Sequence, residues 1–161
     1  MSGPNINGFQ ATVNNALPVA VAGDVRGNSL KIPLASPTGG VISPVGGLTT
    51  GAFACVDSAG VVTQGYVAAA QIGFLARSQG NGVNTGFLSP ASVEVNAGFI
   101  TTLYTRVDAW ALCPEGCVAG ATVYMNNTTG LPTMSSSGAT ATNWKSATNA
   151  AAGELMGIST Y

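Results

Sequence analysis

Apolar and polar residues alternate with a period of two in short runs along most of this chain, and the first such run is the most telling. Between Gly8 and Asp24, Phe9, Ala11 and Val13 fall on one face while Gln10, Thr12 and Asn14 fall on the other. After an Asn14-Asn15 hinge, Leu17, Val19 and Val21 alternate with Pro18, Ala20 and Ala22. A two-residue period is the mark of extended chain with one buried face. Pro18 has no N–H, so the second run is not a fully paired central strand. An apolar extended segment must lie on something: its own domain, a sister subunit or another protein. Phe9, Ala11, Val13, Asn14, Leu17, Pro18, Val19 and Val21 are therefore the candidate contact residues.

The same reading continues down the chain. Leu30, Ile32 and Leu34 alternate with Lys31 and Pro33, which predicts a short edge strand. Residues 36–47 read as loop, with a small apolar pair at Val41-Ile42. Leu48 to Val56 predicts a strand, Asp57-Ser-Ala-Gly60 a hairpin turn and Val61 to Thr63 its return. Ile72 to Arg77 is a strand and residues 78–86 an exposed loop. Residues 92–112 form the longest strand-rich stretch. There Leu103, Thr105, Val107, Ala109 and Ala111 share one face, with Tyr104, Arg106, Asp108, Trp110 and Leu112 on the other. Neither face is purely polar, so cover on both is expected, and Arg106 and Asp108 are placed to pair. Gly120 to Met125 and Leu131 to Met134 flank a turn at residues 126–130. Ser135 to Thr142 is low-complexity and reads as a flexible loop, Trp144 re-anchors the chain, and Glu154 to Thr160 closes it as a strand. No amphipathic helix of ten residues is legible. Many short strands between Gly-rich turns predict an all-β barrel or sandwich. With no repeat and no linker, residues 1–161 read as one β domain, with 1–24 an extended arm and 25–161 the β core.

Composition changes the picture in one respect. Only 7% of the 161 residues are charged, against about 25% in ordinary soluble domains. Charge keeps monomers apart, so a chain this poor in it is expected to work within an assembly; the plainer alternative is a monomer coated in Ser, Thr, Asn and Gly. The net charge is −1 and the five cations, Arg26, Lys31, Arg77, Arg106 and Lys145, are scattered. Nucleic-acid binding needs them clustered, so no nucleic-acid partner is expected. No apolar run nears the ~18 residues that span a bilayer, and no secretory pattern opens the chain. The expectation is synthesis in a cytosol and no membrane partner.

Candidate chemistry is sparse. The chain has no His, so Ser–His and Cys–His nucleophiles are excluded. The six carboxylates, Asp24, Asp57, Glu94, Asp108, Glu115 and Glu154, are dispersed, with Asp57 in a turn and Glu115 in a Pro-Glu-Gly turn. No enzyme activity and no cofactor are expected. Cys113-Pro-Glu-Gly-Cys117 has spacing that could open a zinc site, but four ligands are the norm and Cys55 is the only further thiol, so no metal is expected. A Cys113–Cys117 disulfide after release from the cell stays open. Otherwise the three cysteines read as small buried or half-buried thiols. Asn126-Asn-Thr128 and Asn127-Thr-Thr129 match a glycosylation pattern but read as turn residues.

The stretch Phe9-Gln-Ala-Thr-Val-Asn-Asn-Ala-Leu-Pro-Val-Ala-Val-Ala-Gly-Asp24 resembles the opening of tailed-bacteriophage capsid cement or decoration proteins. Shorter matches follow at Gly51–Asp57, Ile72–Arg77, Val95–Phe99 and Ala152–Leu155, so the resemblance spans most of the chain. It implies a β-rich protein on the outer surface of the virion capsid, made in the host bacterial cytoplasm. Its implied partners are the major capsid protein and itself, the latter as a homotrimer. The alternative function is a fibre, host-recognition or carbohydrate-binding β domain, for which Tyr104, Trp110 and Trp144 are the available aromatics; core packing is the commoner use of all three.

Overall fold

A computed structural model describes residues 20–27, 30–77 and 94–161. Fourteen strands follow in order: β1 Ile32–Pro33, β2 Val41–Ile42, β3 Leu48–Thr49, β4 Phe53–Val56, β5 Val62–Gln64, β6 Gln71–Leu75, β7 Glu94–Val95, β8 Ile100–Thr101, β9 Leu103–Arg106, β10 Ala109–Cys113, β11 Thr122–Asn126, β12 Pro132–Thr133, β13 Ala139–Ser146 and β14 Glu154–Ser159. No helix occurs among the described residues, and the fold is all-β as the periodicity predicts. One five-stranded sheet runs β1-β9-β6-β4-β5 and a second runs β10-β14-β13-β11-β12, with two small pairs, β2-β8 and β3-β7. All pairings are antiparallel. Neither five-stranded sheet closes into a barrel. They share a core instead.

That core forms where alternation turns bulky residues of both sheets inward. Phe53 of β4, Phe74 of β6 and Trp144 of β13 are buried together with Val107, Val123, Met125, Met156 and Ile158. Phe53 meets Phe74 edge-on at 5.3 Å and Trp144 edge-on at 5.2 Å between ring centroids, the geometry ring quadrupoles favour. The other face of the first sheet is buried too. Ala54 and Val56 of β4 join Leu34, Val41, Leu48, Val62, Leu75, Val95 and Leu103 in a second apolar cluster. The two small strand pairs supply Val41, Leu48 and Val95 to this cover, and every residue of β4 is buried as a result.

The hairpin turn is as expected. Asp57 Oδ1 accepts the N–H groups of Ala59 at 2.9 Å and Val61 at 2.8 Å, and Gly60 sits at φ +81°. The edge position of Ile32–Pro33 also agrees with the sequence. Four expectations change. Leu48 to Val56 is two strands, because the chain turns at Thr50-Gly51. Residues 101–112 are divided between the two sheets at Val107-Asp108. Leu103 consequently faces the second cluster while Ala109 and Ala111 face the first, and the single shared face of the sequence reading does not exist. Arg106 lies 4.4 Å from the Tyr161 ring centroid and Asp108 lies 3.6 Å from Arg26, so these two do not pair with each other. Finally, Ala139 to Thr142 belongs to the longest strand, because Ala139, Thr140 and Ala141 pair with Asn126, Met125 and Tyr124. The predicted loop at residues 78–86 lies outside the described residues.

The end of the predicted arm is bonded to the core. Gly23 N–H reaches Trp110 O at 2.7 Å, Trp110 N–H reaches Asp24 O at 2.8 Å, and Arg26 N–H reaches Asp108 O at 2.7 Å. Val25 bridges Ala109, so residues 23–26 prolong the edge of the second sheet beside β10. Arg77 N–H also donates to Gly23 O at 2.7 Å, which ties in the end of β6. Gly23 and Gly51 cross at backbone contact. A Cβ on Gly23 would lie 2.9 Å from Gly51 N, and one on Gly51 would lie 2.9 Å from Ala22 C.

The thiols belong to the core. Cys55 and Cys113 are buried, Cys117 is half-buried, and all three are free. Burial raises Cys55. Burial, reinforced by the neighbouring Cys117, pushes Cys113 up to about 11.

Two predictions follow from this packing. Gly51→Ala combines a positive φ of +77° with the contact to Ala22, so it should cost at least about 2 kcal/mol in denaturant unfolding. Gly39→Ala, which has open space around it, carries only the φ penalty and should cost less. The second concerns pH. Folded Cys113 holds its proton to about 11, whereas an unfolded thiol loses it near pH 8.5–9. Its stabilising contribution is complete below that lower value and is lost as pH rises towards 11, at no more than about 1.4 kcal/mol per unit. Cys113→Ala should flatten the alkaline limb of a stability-versus-pH curve over this window. An unchanged limb would contradict the assignment.

Candidate interaction surface

The polar groups that could carry chemistry are occupied in holding turns. Asp24 Oδ2 accepts Val21 N–H at 2.9 Å, and Glu154 Oε2 accepts Ala151 N–H at 2.9 Å. Glu115 accepts the Thr133 hydroxyl at 2.6 Å and Met134 N–H at 3.1 Å, so the turn carboxylate is a brace between β10 and β12. Among the described residues no three His, Cys, Asp or Glu side chains cluster as a metal site would require. Asn126 Oδ1 accepts the N–H groups of Thr128 and Thr129, each at 3.0 Å, which is the turn role expected of it.

The cations are similarly engaged. Arg77 lies 3.4 Å from Asp24, Arg26 stacks 5.3 Å from the Trp110 ring centroid, and Lys145 donates to Thr122 at 2.8 Å. The aromatics that would serve a sugar platform are committed as well. Trp144 is 2% exposed, Trp110 is half-buried under Arg26, and Tyr104 packs partly against the inter-sheet core.

What the fold does present is apolar. In the β2–β8 pair, Val41 and Thr101 point inward and are buried, while Ile42 and Ile100 stand opposite one another on the outer face. Their exposures are 53% and 67%, and Phe99 and Val45 beside them are 48% and 97% exposed. The backbone beneath this ridge is firmly bonded. Ser43 N–H donates to Phe99 O and Gly98 N–H to Ser43 O, both at 2.9 Å, and the Ser43 hydroxyl donates to Val95 O at 3.0 Å. A groove of about 390 Å³ flanks the ridge, lined by Pro33, Leu34, Val41 and Ile100 among others. Ile42 and Ile100 are thus held out by bonded backbone beside a cleft, with Phe99 next to Ile100 and Val45 in the turn after β2 also exposed. The sequence signals were the Val41-Ile42 and Phe99-Ile100 pairs, too short to show periodicity.

Of the candidate contact residues, Phe9, Ala11, Val13, Asn14, Leu17, Pro18 and Val19 lie outside the described residues. Val21 is half-buried where the chain enters the turn closed by Asp24.

Comparison with known proteins gives this surface its context. The profile of the XM1 gp53 minor capsid protein family matches residues 9–160. A solved structure described as the capsid of Myoviridae Phage XM1 contains a chain with the same fold. The TM-score is 0.66 at 20% identity, over 94% of this chain and 96% of that one. Among curated protein sequences none matches. With almost its whole length matched, the chain belongs to the XM1 gp53 minor capsid protein family, and is a tailed-phage head structural protein of the virion capsid.

Proposed function

We propose that this minor capsid protein is a cement, or decoration, protein. It binds the outer surface of the major capsid protein lattice and stabilises the head by contact, without catalysis. The observation that carries this reading is the exposed pair Ile42 and Ile100 on the bonded β2–β8 base, with exposed Phe99 and Val45 on the flanking turns. Large apolar groups exposed together in water favour a partner surface. A standard interface buries about 800 Å² on each side, and the ridge with its groove is a suitable centre for one. The copies associate as a homotrimer, so that several contacts engage together and avidity exceeds the affinity of any single one.

The extended arm is the second element of the clamp. Phe9, Ala11, Val13, Asn14, Leu17, Pro18 and Val19 precede Val21 in sequence, and Val21 is the first residue of the turn closed by Asp24. An extended apolar segment adds readily to a neighbour's sheet edge. In this organisation residues 1–161 act as one β domain, with an arm over residues 1–24 whose last two residues pair with the core.

The experiment mixes purified protein with undecorated shells and measures occupancy. Ile42→Lys with Ile100→Asp alters only outward side chains and sets opposite charges across the β2–β8 pair, so the fold should persist with a stability change of at most about 1 kcal/mol. Burying each Ile in an interface is worth about 1.5–3 kcal/mol, so shell affinity should fall at least a hundredfold. A folded double variant that decorates shells as well as the native chain removes the ridge from the mechanism. Removal of residues 1–19 should likewise leave a folded core that binds shells weakly, with native binding little changed between low and molar salt. A deletion that extends through Arg26 should unfold the protein instead, because it strips the edge of β10.

A further inference from the structure

We propose that Cys113 and Cys117 are an oxidation site, converted to a disulfide by exchange with a small-molecule disulfide once the capsid leaves the reducing cytoplasm. The inference is independent of what the protein binds.

The argument begins with the turn. Four residues of extended chain would carry Cys117 about 13 Å from Cys113, out of reach of a disulfide, which needs Cα atoms within about 7 Å. Gly116 at φ +84° turns the chain back. Burial and the adjoining Cys117 together raise the Cys113 thiol, so the two side chains are near enough to influence one another. Both ends of the loop are fixed. Cys113 ends β10 opposite Glu154, and Gly153 N–H donates to its carbonyl at 2.7 Å. Cys117 bridges Ala150, with its N–H on Ala150 O at 2.9 Å and Ala150 N–H on its own carbonyl at 3.1 Å. The same β13–β14 connection therefore holds the two sulfurs near one another.

Access is asymmetric in the way exchange requires. Cys113 is completely buried. Cys117 is half-buried and lines an open groove of about 580 Å³ with Gly116, Val118, Thr122, Tyr124 and Met134, room for a small disulfide such as oxidised glutathione. Its sulfur lies 3.2 Å from Ser146 Oγ and 3.4 Å from Thr148 O. Losing those contacts strands no polar group, because the Ser146 hydroxyl already reaches Thr148 O at 2.6 Å.

The reaction has two steps. The Cys117 thiolate attacks one sulfur of the small disulfide, whose S–S bond breaks and releases one small thiol. Cys113 then attacks the Cys117 sulfur, which forms the protein disulfide, and its proton goes to the departing second small thiolate, which leaves as a thiol. Two protein thiols are oxidised and one small disulfide is reduced to two thiols, so no further reactant is needed. Cys55 lies in β4 within the core and takes no part.

The test uses the full chain, fully reduced and then incubated with oxidised glutathione at pH 8.5, with intact mass and peptide mapping as readouts. The expected product has lost two hydrogens, carries no glutathione and links Cys113 to Cys117, while Cys55 alkylates only after denaturation. Closing so short a loop should raise Tm by roughly 4–8 °C. Cys113→Ala should stop at a stable glutathione adduct on Cys117, and Cys117→Ala should stay unreacted. A native chain that keeps glutathione on Cys117, oxidises at Cys55 first, or stays reduced while an unstructured dithiol peptide in the same tube is oxidised would overturn the proposal.

Discussion

Everything in this fold depends on β4 being covered on both faces. Phe53 and Cys55 project towards the second sheet, and Ala54 and Val56 towards the small strand pairs. A strand buried on both sides cannot alternate apolar with polar residues, and Phe-Ala-Cys-Val does not. The covering elements differ in bulk accordingly. On the inter-sheet side Phe53 fills the space with Phe74 and Trp144. On the other side Ala54 pairs with Gly73, where a Cβ would lie 2.8 Å from the Leu103 Cβ and 3.0 Å from a Leu34 methyl. The small residues admit Leu34 and Leu103 close to the sheet, and those in turn seat the β2–β8 and β3–β7 pairs. The exposed ridge is therefore a remote product of a glycine in β6.

The crossing of Gly23 and Gly51 couples that core to the arm. Two backbones touch there because neither has a Cβ, and the contact brings Gly23 within bonding distance of both Trp110 and Arg77. One short segment thereby joins the edge of the second sheet to the end of a central strand of the first. An arm pulled by a partner would transmit load to both sheets at once. A bonded root would suit the proposed clamp, since an arm loose along its whole length would lose more entropy on docking for the same contacts.

How legible this was varies with the range of the interactions involved. The hairpin at Asp57–Gly60, the Pro33 edge strand and the closing strand of residues 154–159 were plain, because a cap, a missing N–H or a local alternation specifies each. Trp144 as an anchor was legible from its size alone. Ser135 to Thr142 was not, because its small residues carry no pattern of their own and become strand only when β11 pairs with them. The division at Val107-Asp108 was also hidden. An unbroken alternation looks the same whether one sheet or two receive it, and only the tertiary crossing inverts which core each residue meets. The ridge was the hardest to foresee. Val41-Ile42 and Phe99-Ile100 are distant in sequence and two residues each, so neither shows a period until they are paired. The candidate contact residues in the arm were read from periodicity, which identifies an apolar face but not the surface it meets.

The scarcity of charge acquires a physical meaning from the same arrangement. Most of the few carboxylates and cations brace turns or cover aromatic rings, as with Glu115 between β10 and β12 and Arg26 over Trp110. With Arg26 paired to Asp108 and Arg77 to Asp24 and a net charge of −1, little net charge is left to repel another copy or a capsid subunit. Long-range repulsion between charged surfaces weakens crowded assembly, so spending charge internally suits a surface packed against neighbours. The cost is a protein with little to keep free copies apart, and the fold limits that risk through geometry. The β10 edge is closed by residues 23–26, and the β1 edge carries Pro33, which has no N–H to offer an intruding strand. The exposed residues of the β2–β8 pair sit on bonded backbone, so a partner docking there as proposed would meet side chains instead of unpaired backbone. Side-chain contacts demand a complementary shape, whereas an open strand edge accepts almost any extended chain. In this fold two of the four edges of the large sheets, β10 and β1, are thus protected against indiscriminate strand addition.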